Sequence, residues 1–127
     1  MADVALELEN LTVELPTPRG IVHAVSDVSF ELRAGETLGL VGESGCGKST
    51  IARAIVQVAP TTSGRILFQG QDLSQLGHTE LRRTRPKLQM IYQDPISSLN
   101  PRRHVREIVA EGMSIWGGRD EERVDDV

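Results

Sequence analysis

The sequence predicts an α/β fold that opens with an antiparallel β sheet. Three observations point there. Apolar residues alternate with polar ones through the opening stretch. A nearly all-apolar run, residues 37–41, leads straight into a glycine-rich loop. Apolar residues then recur at helical spacing directly after that loop.

Leu6, Leu8, Leu11, Val13 and Leu15 carry the first alternation, with a break at Glu9 and Asn10, and read as an edge strand. Residues 16–20 hold two prolines and a glycine and read as a loop. A short strand over 21–25 follows, and Val28, Phe30 and Leu32 alternate again before a turn at 34–36. Residues 37–41 match a strand covered on both faces, as in a parallel unit. Ile51, Ala52, Ile55 and Val56 predict a helix that ends before residues 60–64. Residues 65–68 read as a strand and 70–77 as a loop. Thr79 is the expected cap of a short helix with Leu81, stopped by Pro86. Residues 88–92 look strand-like, and 93–101 form a polar loop with two prolines. Val105, Ile108, Val109 and Met113 predict a last helix, and the charged residues 119–127 read as a tail or a further helix start.

The chain has 127 residues, 39% of them hydrophobic and 3% aromatic, so its core must rest on aliphatic side chains. Its formal charge of −4 argues against a surface built to grip nucleic acid. The single cysteine, Cys46, cannot form an internal disulfide, which fits a reducing compartment. The opening residues lack the basic and apolar regions of a secretory signal. No apolar stretch approaches the ~20 residues a membrane span needs.

The strongest signal is Gly42-Glu43-Ser44-Gly45-Cys46-Gly47-Lys48-Ser49, which fits G-x-x-x-x-G-K-[ST] at every fixed position. Terminal phosphates need many donors converging on a small volume. Backbone N–H groups supply them if the chain wraps tightly, and the glycines permit the wrap. A helix starting near Lys48 points its positive end at the same anion. The ammonium of Lys48 then reaches the β- and γ-phosphates, and the Ser49 hydroxyl ligates Mg²⁺. These residues with Thr50 are the expected site for ATP and Mg²⁺. Cys46 reads as a small loop residue or as a reactive thiol beside amides and Lys48.

Two further stretches carry a family resemblance. Residues 29–50, through the loop, resemble the Walker A region of ABC-transporter ATPases. Gln89-Met90-Ile91-Tyr92-Gln93-Asp94-Pro95, then Ser98-Leu99-Asn100-Pro101-Arg102, resemble their Q-loop region, most like the oligopeptide, dipeptide and nickel importer branch. The resemblance implies a P-loop NTPase core, incomplete, with an N-terminal antiparallel β subdomain. It implies that Lys48 and Gln93 are catalytic, with Gln93 also reaching the Mg²⁺ and the attacking water. Residues 1–113 would be the front of a nucleotide-binding domain, and 114–127 the start of its helical subdomain or a charged tail. The implied partners are membrane permease subunits, met around residues 97–103, and a second ATPase subunit placed head to tail. The implied place is the cytoplasmic face of the cell membrane, held peripherally. The implied function is ATP-driven import of peptides or related small solutes. A non-transport ATPase of the same type, in DNA repair or translation, is the alternative.

Some family features are missing from the 127 residues. No aromatic residue lies at 19–23, so Arg19 or Ile21 is expected to cover the base. No apolar strand ends in Asp-Glu, since Asp125 and Asp126 follow Arg123 and Val124. The Leu-Ser-Gly-Gly-Gln signature and the later switch histidine do not occur, and residues 114–119 are no signature despite Gly117 and Gly118. The chain alone is therefore expected to bind nucleotide without efficient hydrolysis. Arg82, Arg83, Arg85 and Lys87, and Arg102, Arg103 and Arg106, read as solvated or ion-paired clusters, with contact to a membrane subunit as the alternative. His23, His78 and His104 lack ligand spacing for zinc, and Trp116 reads as a packing residue.

Overall fold

The computed structural model describes residues 3–118, 120, 123 and 124. The charged stretch 119–127, including Asp125 and Asp126, lies largely outside the described residues, as do Met1 and Ala2. The chain divides into two units, one running to Gln89 and one starting at Met90.

In the first unit, β1 (Val4–Thr17) and β2 (Gly20–Arg33) form a long antiparallel hairpin. The loop expected over residues 16–20 shrinks to a turn at Pro18 and Arg19, with Pro16 and Thr17 still paired to Ile21 and Gly20. Instead of two short strands, β2 is one irregular strand. β3 (Ser63–Phe68) pairs with the other edge of β1, and β4 (Gln71–Asp72) pairs with β3, giving the order β2-β1-β3-β4. The first strand is thus interior and not an edge. Both its edges find partners, which the alternation of one strand cannot reveal.

The break at Glu9 and Asn10 has a structural cause. The register steps from Leu8↔Phe30 to Leu11↔Val28, so β1 carries an extra residue there. Asn10 takes a positive φ of 48°, which asparagine tolerates better than most residues. Its N–H donates to Ser29 Oγ at 2.8 Å and its Nδ2 to Asp27 Oδ1 at 2.7 Å. With the bulge in place, Leu6, Leu8, Leu11 and Val13 all face one core.

Helix α1 (Lys48–Ile55) lays Ile51 and Ala54 on that core with Val25, Ile66 and Leu73. The spacing of Ile51 and Ala54 puts them on one helix face. The helix ends where Gln57 turns to a φ of 58°. After β4, a 3₁₀ turn (Leu73–Gln75) is capped by Asp72, whose Oδ1 accepts from the Ser74 N–H at 2.9 Å. Helix α2 (His78–Thr84) starts one residue before the expected cap. Gly77 stands at its start, its N–H donating to Glu80 Oε2 at 3.2 Å, so Thr79 is already helical. A 3₁₀ turn, Arg85–Lys87, carries Pro86 and ends the segment.

Two strand expectations fail. Residues 37–41 and 88–92 form no strand, and Val41 and Ile91 are 92% and 97% exposed. Among the described residues every strand pairing is antiparallel, and nothing pairs with either stretch. Apolar composition favours a strand, but a ladder needs a neighbour to hydrogen-bond.

In the second unit, α3 (Pro95–Ser98) interrupts what reads as a plain loop, and α4 (Val105–Trp116) is the expected last helix, with Ala110 buried. Trp116 ends that helix with 42% of its surface exposed.

Candidate functional site

The glycine-rich loop wraps as its sequence requires. Gly45 and Gly47 take φ of 79° and 82°, a region open to glycine at little cost. The Cys46 N–H donates back to the Glu43 carbonyl at 3.2 Å, tightening the turn. Gly47 stands at the N-cap of α1 in the left-handed region and offers no side chain to the first turn. The opening N–H groups of α1, which have no partner within a helix, are thus left without a side-chain cap. That is a positive helix end prepared for an anion.

Lys48 folds back over the loop. Its Nζ donates to the Gly42 carbonyl at 2.7 Å and to the Glu43 carbonyl at 3.1 Å, and lies 3.9 Å from Cys46 Sγ. The ammonium and the helix end thus serve the same small volume. Ser49 and Thr50 follow in the first turn of α1, Ser49 exposed and Thr50 half-buried. Cys46 is exposed, and a side chain at Gly42 would collide with its sulfur, the built Cβ standing 2.6 Å away. The structure therefore places Gly42, Glu43, Ser44, Gly45, Cys46, Gly47, Lys48, Ser49 and Thr50 in one tight loop and the first turn of α1.

Gln93 belongs to the second unit and is exposed. The residue after it shapes the segment. Asp94 caps α3, its Oδ1 accepting from the N–H groups of Ile96 at 3.0 Å and Ser97 at 3.4 Å. Hydrogen bonds from the Ser97 side chain and these two N–H groups hold its carboxyl below the usual value. The signal was available: Asp followed by Pro is a cap and a first helical position in sequence.

The donor set of amides, one ammonium and a hydroxyl fits a polyphosphate. No group of three or more His, Cys, Asp or Glu side chains that could hold a metal occurs among the described residues. A magnesium ion bound with such a polyphosphate would find the Ser49 hydroxyl as a ligand. His23 is engaged in the hairpin, its Nδ1 lying 2.9 Å from Glu14 Oε1. Of the basic clusters, Arg103 pairs with Glu111 at 2.8 Å. Ile21 is exposed beside the hairpin turn. Among the described residues no helix is long and apolar enough to cross a membrane.

A family profile described as ABC transporter matches residues 25–127. The chain belongs to the ABC transporter family. Its curated relatives agree with the importer resemblance. The oligopeptide transport ATP-binding protein OppF of Bacillus subtilis (strain 168) is 48% identical over 116 residues, covering 91% of this chain and 38% of the relative. The OppF of Haemophilus influenzae is 54% identical over 95 residues, covering 75% of this chain and 29% of the relative. This ABC chain thus spans between 29% and 38% of the length of those two relatives. Among solved structures, the bacterial ABC transporter cassette MJ0796, solved as a dimer, superposes with a TM-score of 0.79 at 23% identity, over 95% of this chain and 53% of that one. CbiO1 from Clostridium perfringens, part of the ABC transporter complex CbiONQ, gives a TM-score of 0.73 at 24% identity, over 98% of this chain and 47% of that one. At such identities these two speak for the fold alone, and that fold is the incomplete ABC ATPase core.

Proposed function

We propose that this chain is the nucleotide-binding front of an ATP-hydrolysing subunit that drives import of peptides or related small solutes across a membrane. The observation that carries the reading is the loop of residues 42–49, with Lys48 folded over it and an uncapped helix end behind it. The similarity to oligopeptide transport ATP-binding proteins supports the choice of cargo class.

Residue roles follow from the chemistry of each group. The amides around Gly45, Cys46 and Gly47 hold the β- and γ-phosphates. Lys48 exchanges its loop carbonyls for phosphate oxygens and neutralises charge there. Ser49 would ligate Mg²⁺ through its hydroxyl, and Thr50 completes the first turn. Gln93, neutral and able both to donate and to accept, would by the family resemblance contact the metal and the attacking water. ATP with Mg²⁺ supplies the phosphoryl group whose loss drives the cycle. Residues 1–113 form the nucleotide-binding part and 114–127 begin a helical subdomain or a charged tail. Residues 97–103 face permease subunits, a second ATPase subunit closes the site head to tail, and the subunit works peripherally at the cytoplasmic face of the membrane.

The 127-residue chain by itself binds nucleotide and turns it over negligibly, because its sequence holds no apolar strand ending in an acidic pair. Calorimetry with Mg-ATP and phosphate release on the same sample test both halves. Binding without turnover is expected. A folded sample that takes up no Mg-ATP overturns the site, and robust turnover abolished by Lys48→Ala overturns the claim of inactivity. Co-purification of the protein that carries this chain with permease subunits, and not with DNA-repair or translation partners, is expected for the transport role.

A further inference from the structure

Gly47 lies where β2 departs from its ladder. The paired residues run Val13↔Val25 and then Glu14↔His23. That leaves Ala24 as the extra residue of a bulge. A Cβ built on Gly47 would stand 2.0 Å from the Ala24 carbonyl oxygen and 3.2 Å from its carbonyl carbon. The main chain of the phosphate loop therefore rests directly on the main chain of the bulge. Gly45 provides the contrast. Its φ of 79° nearly equals the 82° of Gly47, yet nothing lies within 4 Å of its built Cβ. Both glycines meet the same backbone demand, and only Gly47 meets a wall as well.

The wall is well anchored. Val25, next to the bulge, is buried in the core that also receives Ile51 and Ala54 of α1. On the other side of the bulge, His23 lies 2.9 Å from Glu14, and the Glu14 N–H donates to Thr62 Oγ1 at 2.8 Å. We infer that the bulge at Ala24 is the seat of the phosphate loop. Ala24 is thus a positioning residue for triphosphate binding, acting through its carbonyl on Gly47. The bulge sets where the loop amides and the tip of α1 stand, so β2 governs nucleotide affinity from a distant part of the sequence.

This inference rests on the phosphate-binding reading, and the test separates the two. Mg-ATP affinity is measured by calorimetry for the 127-residue chain, for Gly45→Ala, for Gly47→Ala, for a deletion of Ala24, and for that deletion combined with Gly47→Ala. Gly47→Ala is expected to lose roughly tenfold more affinity than Gly45→Ala, since only it drives a side chain into backbone. Deleting Ala24 removes the register step between Val13 and Glu14, moves the seat, and is expected to lower affinity roughly tenfold. In the deletion background the further cost of Gly47→Ala falls to that of Gly45→Ala, a coupling that a general loss of stability would not produce. Equal losses for the two glycine variants, or an additive cycle, overturn the seat. If the deletion fails to fold, the comparison of the two glycine variants decides alone. A folded wild-type chain that binds no Mg-ATP removes the phosphate reading, and with it the seat. Binding by wild type with equal glycine variants removes only the seat.

Discussion

Strand β1 and residues 37–41 are both rich in Leu and Val, yet they end in different states. In β1, Leu8, Leu11 and Val13 are at most 1% exposed, between β2 on one edge and β3 on the other. In the other stretch Leu38 and Leu40 are 45% and 46% exposed, and no strand lies alongside among the described residues. The difference teaches that composition proposes a strand and neighbours make it. Burial of aliphatic surface and a closed ladder arrive together, because an unpaired backbone loses its hydrogen bonds when it leaves water.

The comparison can be broken by mutation. Leu11→Ala, at a fully buried site, is expected to cost about 2–5 kcal/mol in denaturant unfolding. If it costs no more than an exposed substitution, β1 is not the structural centre. Lys48→Ala tests the site against the scaffold. Loss of a charge-assisted contact worth about 1.5–3 kcal/mol should weaken Mg-ATP binding roughly 10–150-fold in calorimetry. The unfolding midpoint should hardly move, because Lys48 spends its charge on exposed loop carbonyls and not on the core.

A third measurement sharpens the contrast between segments held by neighbours and segments held by their own caps. The Asp94 carboxyl lies below its usual value, so its ionised form is favoured in the folded chain. Its contribution is complete above the ordinary carboxylate range and fades as pH falls through the lowered value. Amide exchange at Ile96 and Ser97 should therefore quicken, relative to the intrinsic rate, on acidification, and Asp94→Ala should remove that pH dependence. The smallest effect belongs to the unpaired stretch. Val41→Thr should change stability by no more than about 0.5 kcal/mol, the usual range for exposed sites. A larger loss would mean that residues 37–41 are held by contacts in solution.

Much of the site was legible before any coordinates. The loop pattern names its own backbone chemistry, since glycine spacing and a Lys-Ser pair demand local geometry that few other residues allow. The helix after it was readable from the spacing of Ile51, Ala52, Ile55 and Val56, although the structure buries Ala54 beside Ile51 and leaves Val56 at the cap. The hairpin turn and the break at Glu9 and Asn10 were visible for the same local reason. The interior position of β1, the cap made by Asp94 and the absence of a strand at 88–92 were not read in advance. The first and last of these depend on which partner lies beside the backbone.

The sequence by itself determined that this chain carries a phosphate-binding loop between an apolar run and a helix, and that it resembles the ABC ATPases. Those features are short-range, set by backbone freedom and side-chain period within a few residues. Only the tertiary structure decided that β1 lies inside the sheet, and that Gly47 rests on the carbonyl of Ala24. Such facts join residues far apart in the chain. They follow from which surfaces meet when apolar area is buried, and no local pattern encodes that choice.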